Sequence, residues 1–105
     1  MSTFQLDPNQ AAYGVASMGT TQVASVTTSS VQMTAFGAST TMIRIACSLG
    51  HCHYQIGTSP TASVTTSTMI PNNSIEIVAV TPGQKIAFIR DATVTSSTVS
   101  VTELA

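Results

Sequence analysis

Residues 41–56 read TMIRIACSLGHCHYQI, and the alternation within this stretch decides the fold class. Every second residue on either side of a short break is apolar, and these residues are Ile43, Ile45, Cys47, Cys52, Tyr54 and Ile56. Alternation with a period of two places such side chains on one face of an extended strand. The break at 48–50 (SLG) has the composition of a tight loop, so the stretch predicts two strands joined as a β-hairpin.

The rest of the chain continues the strand pattern. It contains 10 Val, 8 Ile and 18 Thr against only 3 Leu, and these β-branched side chains favour strands over helices. Short alternating runs recur between turns, such as 81–84 (TPGQ), whose Pro and Gly suit a type II turn. No window has the apolar spacing of an amphipathic helix. The sequence predicts an all-β domain of seven or eight strands, either a two-sheet β-sandwich of jelly-roll-like kind or a small barrel.

The first 20 residues differ from the rest. Phe4, Leu6 and Tyr13 are scattered without a period of two, among turn-forming and glycine residues. We therefore expect an extended N-terminal arm over residues 1–20 and a β-sandwich domain over residues 21–105. An arm with apolar side chains at intervals can lie on a neighbouring subunit, so these three residues are the predicted partner contacts. A floppy terminus is the alternative.

Charge is scarce in this chain. It has 3 basic and 4 acidic residues, a formal net charge of −1, and only 7% charged residues. Nucleic-acid binding and electrostatic membrane binding both need concentrated basic residues, so neither is expected. The 32 Ser and Thr residues supply the polarity instead, which suits a surface covered by other copies or by a larger assembly. Without the features of a secretion signal or an apolar run of membrane-spanning length, synthesis and retention in a cytoplasm are expected.

His51-Cys52-His53 is the group that most suggests catalysis. Two His at positions i and i+2 of a strand point to the same side and can reach one metal ion, as in cupin metalloenzymes. That pattern continues with a Glu and a later His, whereas Gly57 and Thr58 stand near the Glu position and no His follows His53. We therefore predict no metal site and no other cofactor, and we interpret the pair as partly exposed surface imidazoles.

Cys47 and Cys52 flank the tight loop. A cross-strand disulfide is one interpretation, and buried reduced thiols are the preferred one for a protein kept in a cytoplasm. Catalysis by Cys52 with His53 is not expected, because neighbours along a strand point to opposite faces. No nucleophile elbow or phosphate-binding loop occurs, so the sequence predicts no catalytic residues and no enzymatic activity.

Arg44 is the lone charge in an otherwise apolar strand. It either pairs with an acidic residue such as Glu76 inside the sandwich or projects toward a partner. The sequence leaves both interpretations open.

Five segments occur in a fixed order along residues 41–104. They are 43–45 (IRI), 52–62 (CHYQIGTSPTA), 69–71 (MIP), 81–90 (TPGQKIAFIR) and 99–104 (VSVTEL). In this order they resemble segments of small structural proteins of tailed bacteriophages. The resemblance implies a virion component, namely a decoration (cement) protein that binds the capsid exterior and stabilises the shell. It also implies a homo-oligomer, with a trimer favoured, that contacts the major capsid protein at the capsid surface.

Two alternatives accompany that expectation. A tail, neck or fibre component of the same virion fits the same resemblance. A carbohydrate-binding β-sandwich module fits the fold class, but sugar sites usually stack the ring on an exposed aromatic residue, and this chain has no Trp and 2 Tyr.

Overall fold

The computed structural model describes residues 18–104, and these residues form eight β-strands. In chain order the strands are β1 (Met18–Ser25), β2 (Val31–Gln32), β3 (Met42–Ser48), β4 (Cys52–Gly57), β5 (Thr68–Ile70), β6 (Ile75–Ala79), β7 (Lys85–Arg90) and β8 (Thr98–Leu104). The predicted all-β class is confirmed. Within the described part of the chain, no helix is long and apolar enough to cross a membrane.

The strands form two antiparallel sheets of four strands each. Sheet I has the order β1-β8-β3-β6, and sheet II has the order β2-β7-β4-β5. Most connections cross from one sheet to the other, and β4 and β5 are the consecutive strands that pair directly. This arrangement confirms the expected two-sheet, sandwich-like architecture.

The core lies between the inner faces of the two sheets. The large side chains with almost no exposed surface are Ile43, Ile45, Cys52, Ile70, Ile86, Phe88, Val99 and Val101. Burying one such side chain contributes roughly 1.5–3 kcal/mol relative to leaving it in water. The alternation in residues 41–56 therefore identified inner-face residues of both sheets correctly.

The predicted hairpin between β3 and β4 is wrong. β3 pairs with β6 and β8 in sheet I, whereas β4 pairs with β5 and β7 in sheet II. The connection crosses between the sheets, with Leu49 at a φ of 72°. A Cβ on Gly50 would lie 2.2 Å from the Ser96 carbonyl oxygen, so this crossing requires glycine. Two strands that face each other across a core turn alternate apolar side chains inward, and so do two strands of one hairpin. The alternation therefore does not distinguish these two arrangements.

Cys47 and Cys52 accordingly face each other across the core. Both thiols are free and buried, with their Sγ atoms 3.8 Å apart. Burial, followed by the neighbouring Cys47, raises the pKa of Cys52 to about 12. The preferred interpretation of buried, reduced thiols is confirmed.

The turn predicted at 81–84 is present. Gly83 has a φ of 86°, and the Gln84 N–H donates to the Thr81 carbonyl oxygen at 3.1 Å. A positive φ at the third position of the turn is what selects glycine there.

β1 begins at Met18, inside the range expected for the arm. Its pairing with β8 is interrupted by a bulge between Met18 and Thr21. The predicted partner contacts Phe4, Leu6 and Tyr13 lie outside the described residues, as does the arm up to residue 17.

Candidate functional site

His51 immediately precedes β4, His53 is the second residue of β4, and Asp91 directly follows the last residue of β7. These two strand ends lie side by side because β4 and β7 are antiparallel neighbours, with Cys52 opposite Arg90. His53 Nε2 is 2.7 Å from Asp91 Oδ1, and His51 Nε2 is 3.5 Å from Asp91 Oδ2. The two imidazoles share one side of the sheet, as predicted, and they meet at one carboxylate.

The imidazole of His53 uses both ring nitrogens. Nδ1 lies 3.1 Å from the Ser67 carbonyl oxygen, while Nε2 faces the Asp91 carboxylate. Both ring nitrogens therefore have a polar partner, and the two contacts together fix the orientation of the ring. His53 is 7% exposed, so the interpretation as a partly exposed surface imidazole is wrong for this residue. The reason is the loop that carries Ser67, which folds over the ring.

The Asp91 carboxylate is held by several donors. Oδ2 accepts hydrogen bonds from the Thr93 N–H at 3.1 Å and from the Thr93 hydroxyl. These interactions lower the pKa of Asp91 from its ordinary value of 3.8, the Thr93 hydroxyl contributing most and His53 next. The carboxylate is therefore ionised at neutral pH and anchors both His53 and the turn after β7.

Asp91 and Thr93 were missed by the sequence reasoning. The available signal was Asp-x-Thr directly after an alternating run, a pattern in which an Asp side chain bonds to backbone two residues on. Among residues 18–104, no group of three or more His, Cys, Asp and Glu side chains is arranged to hold a metal ion. The cluster ties a loop and a turn to the end of β7.

Residues 58–67, here called the cover loop, lie over the outer face of sheet II. Gln32 Nε2 donates to the Pro60 carbonyl oxygen at 2.9 Å, and the Ala62 N–H donates to Ser30 Oγ at 2.8 Å. Ser67 closes the loop through its carbonyl contact with His53. Ala87, at the centre of this outer face, has no exposed surface as a result. The cover loop supplies sheet II with a second buried layer.

The outer face of sheet I differs. The strand registers place on it, here called the open face, the residues Thr21, Val23, Met42, Arg44, Ala46, Ile75, Ile77, Ala79, Ser100 and Thr102. Val23 is 69% exposed, Ile75 57% and Ile77 62%, so no described segment covers the two edge strands. Arg44 is the one charged residue of the open face, and it lies directly opposite Ile77.

Arg44 does not pair with Glu76, which was one of the two interpretations left open. Glu76 lies opposite Ile45, so its side chain is on the inner side of sheet I. There it accepts a hydrogen bond from the Tyr54 hydroxyl at 2.8 Å, which links the two sheets. Burial and this contact raise the pKa of Tyr54 to about 12.

The other described carboxylates are also engaged elsewhere. Glu103 is buried and accepts hydrogen bonds from the Gly37 N–H and the Thr40 hydroxyl, and Asp91 is held by His53 and Thr93. Among the described residues, Arg44 consequently has no ion pair. The residue is half-buried on the open face, opposite Ile77 of β6 and Thr102 of β8.

The similarity of this chain to known proteins lies in its fold. No family model matches the chain, and no curated protein matches it. Among solved structures, the fold is similar to that of hydroxypropylphosphonic acid epoxidase from S. wedmorenis in complex with fosfomycin, with a TM-score of 0.54 and 13% identity. The match covers 79% of this chain and 42% of the other, so this chain spans less than half of that protein's length. At this identity the likeness concerns the fold alone.

The comparison corrects the functional expectation. The solved structure found to be similar in fold is described as an epoxidase and not as a virion component, and the expected capsid-binding decoration protein finds no support in any of the comparisons. The expected function is therefore wrong. The segments on which that expectation rested consist of turn and strand residues, such as the Pro82-Gly83 turn. Residues of this kind fix backbone geometry and occur in proteins of unrelated function. The expectations of a trimer and of a capsid location rest on the same resemblance and stay predictions.

Proposed function

We propose that this protein is a protein-binding module that uses the open face of sheet I. The partner presents a carboxylate to Arg44, and apolar side chains of the partner lie on either side of that carboxylate. The single observation that carries this function is a half-buried arginine on an exposed, otherwise uncharged face, with every described carboxylate engaged elsewhere.

The composition of the open face supports binding. Protein interfaces are depleted in charge at their centres and enriched in Arg, and exposed apolar patches mark such surfaces. Ile75 and Ile77 provide apolar contacts along one edge and Val23 along the other, while the small side chains of Ala46 and Ser100 leave the centre low. A partner with an apolar surface and one acidic side chain fits both the shape and the charge.

The proposed role includes no catalytic centre in this chain. The groups that first suggested catalysis, His53 and Asp91, bond to Ser67 and Thr93 and so hold local structure together. We also interpret the strand order of the two sheets as a jelly roll, and residues 1–17 as part of an arm that adds contacts to a partner.

The test begins with a library of random peptides displayed on a surface and selected against the full chain. Enriched peptides are synthesised and their affinities measured for the wild type and for Arg44→Gln. We expect Asp or Glu between apolar residues in these peptides. Removing one partner of a desolvated charge pair costs about 2–5 kcal/mol, so Arg44→Gln should weaken binding by at least roughly 25-fold.

Lys85→Gln is the matched control, because Lys85 lies on the outer face of sheet II. It removes the same charge and should leave peptide affinity unchanged. Unfolding midpoints equal to that of the wild type show that both variants are folded. Peptides without acidic residues, or equal binding to Arg44→Gln, would overturn the proposal. So would acidic-peptide binding that becomes measurable only in Asp7→Asn, because Asp7 would then be the group that occupies Arg44.

A further inference from the structure

The free edge of β6 carries an inference beyond the open face. β6 is the last strand of sheet I, and among residues 18–104 it pairs with β3 alone. The Val80 N–H donates to Thr41 and the Cys47 N–H donates to Ser74, and both bonds run between β3 and β6 or their extensions. Because antiparallel pairs alternate, the N–H and C=O groups of Ile75, Ile77 and Ala79 point to the free edge.

The other three sheet edges have features that prevent pairing with another strand. β1 contains a bulge between Met18 and Thr21, β2 has two residues, and β5 has three residues and is followed by Pro71. Bulges, short strands and prolines are the usual means by which edges avoid association. β6 has five residues, IEIVA, without Pro, Gly or a basic residue, and its Glu76 is taken up by Tyr54. Of the four described sheet edges, the β6 edge is therefore the one without a feature that prevents pairing.

We infer that β6 pairs antiparallel with β6 of a second copy of this chain, centred on Ile77. In that register Ile77 faces Ile77 of the other copy, and Ile75 faces Ala79. All three are residues whose backbone groups point to the free edge, so about six new hydrogen bonds form, two for each facing pair. The result is one continuous eight-stranded sheet across the dimer, and the two-fold axis closes the assembly at two copies, in place of the trimer that the resemblance favoured.

Side chains and charges are compatible with this register. On the open-face side, the isoleucines of one copy contact apolar residues of the other, and cross-strand apolar pairs stabilise sheets. On the inner side, Glu76 faces Val78 of the other copy, so the two carboxylates are not opposed. The two Arg44 side chains lie three strand spacings apart, roughly 14 Å, which exceeds the screening length of about 8 Å at physiological salt.

The inference adds to the proposed function without resting on it, since pairing of β6 doubles the open face but needs no partner protein. The two can therefore fail separately. Arg44→Gln should weaken peptide binding and remain dimeric, and a wild type that stays monomeric would overturn the dimer without bearing on peptide binding.

The test measures the mass of the full chain over a wide concentration range by analytical ultracentrifugation. The wild type should dimerise, and Ile77→Pro should weaken dimerisation by at least about tenfold, because proline removes the central free N–H. The β3 pairing should survive, since this N–H does not point toward β3. Ile77→Thr keeps the N–H and should weaken the dimer less than Ile77→Pro does.

Val23→Pro is the matched control on the opposite edge of the same sheet. Val23 is an exposed β-branched residue, and the bond from the Val26 N–H to Ser97 shows by alternation that its own N–H also points to a free edge. It should leave the dimer intact. Unfolding midpoints identify any variant that fails to fold, and for such a variant Ile77→Thr and the cysteine variants below decide the question.

Cysteine cross-linking tests the register directly. Facing residues of a hydrogen-bonded pair have Cα atoms about 5.5 Å apart, within the range of a disulfide. Ile77→Cys treated with a low-molecular-weight disulfide should give a covalent dimer, by two thiol–disulfide exchanges that release two reduced thiols. Ile75→Cys should not, because two residues at position 75 lie roughly 14 Å apart in this register. Wild-type protein reports any contribution of the buried Cys47 and Cys52.

Several results would overturn the inference. These are a monomeric wild type, a dimer unaffected by Ile77→Pro, a dimer abolished by Val23→Pro, or stronger cross-linking at position 75 than at 77. A monomer whose Ile77 amide is protected from hydrogen exchange would show that a segment of the same chain occupies this edge, and would overturn the second copy as its occupant.

Discussion

The outer faces of the two sheets differ in what covers them. On sheet II, the cover loop lies over Ala87 and His53, and it is fastened by a hydrogen bond donated by Gln32 and by one that Ser30 accepts. On sheet I, the side chains of Val23, Ile75 and Ile77 remain more than half exposed. Both sheets have four antiparallel strands, and their inner faces pack against each other in one core. The two sheets therefore differ in what covers their outer faces and not in the core that they share.

The difference shows how this short chain divides its residues between folding and binding. Sheet II uses polar side chains at its edge and end to attach a second layer, so its outer apolar groups are buried within the chain. Sheet I has no such layer among the described residues, and its one cation has no described carboxylate beside it. Exposed apolar side chains on the outer face of one sheet, next to a covered outer face on the other, are typical of a surface that binds a partner.

The largest expected effect comes from placing the same charge on each face. Ala87→Glu puts a carboxylate under the cover loop, where it is desolvated without a partner or displaces the loop. We expect a loss of about 3 kcal/mol or more in the free energy of unfolding. Ala46→Glu puts the carboxylate on the open face, where it stays hydrated, and should cost less than about 1 kcal/mol.

Urea unfolding of the two variants and the wild type measures both values. Equal losses would contradict the comparison in one of two ways. A large loss for Ala46→Glu would mean that the open face is covered in solution. A small loss for Ala87→Glu would mean that the cover loop detaches at little cost.

The sequence predicted the strands better than their partners. Alternation placed Ile43, Ile45 and Cys47 on the inner side correctly, because side-chain parity depends only on local backbone. It did not show that β3 and β4 lie in different sheets, since a three-residue connection (49–51) serves a hairpin and a sheet crossing equally well. The Pro82-Gly83 turn was predicted because its chemistry is local too.

The candidate sites depended on pairing and were therefore harder to predict. Hydrophobicity alone favours turning Ile75 and Ile77 inward and Glu76 outward. The register with β3 does the reverse, because Glu76 finds the Tyr54 hydroxyl on the facing sheet. Likewise, the shared side of His51 and His53 followed from spacing, but Asp91 joins them only through the pairing of β4 with β7.

A smaller effect, confined to acid, should come from Asp91, whose carboxylate fastens the covered side. Its pKa in the folded chain lies below the ordinary 3.8, so its contribution to stability is complete above that value and is lost as the pH falls through the folded pKa. Asp91→Asn should therefore be less stable than the wild type at neutral pH. The difference should shrink toward low pH, as measured by unfolding midpoints in a pH series.

Thr93→Val serves as the companion variant for that series. It removes the hydroxyl that lowers the Asp91 pKa most, so the acid-induced loss of stability should be smaller than in the wild type and should end at a higher pH. His51→Ala removes the weakest of the contributions and should shift the profile least. A profile of Asp91→Asn parallel to that of the wild type would contradict the role given to this carboxylate.

The smallest expected effect concerns a single side chain, Gln32, whose amide donates to Pro60 and more weakly, at 3.4 Å, to Ser59 of the cover loop. Gln32→Ala removes the donor to the Pro60 carbonyl oxygen, and one such hydrogen bond contributes about 0.5–1.5 kcal/mol. The loss acts on the loop more than on the sheets, so the Ala62 amide should exchange with solvent roughly 2- to 10-fold faster while core amides of sheet I stay unchanged. Gln22→Ala is the matched control, because Gln22 makes its hydrogen bonds to Thr34, away from the cover loop. If both variants accelerate exchange at Ala62 equally, the loop is not held by its own fastening residues, and the contrast between the two outer faces would need another cause.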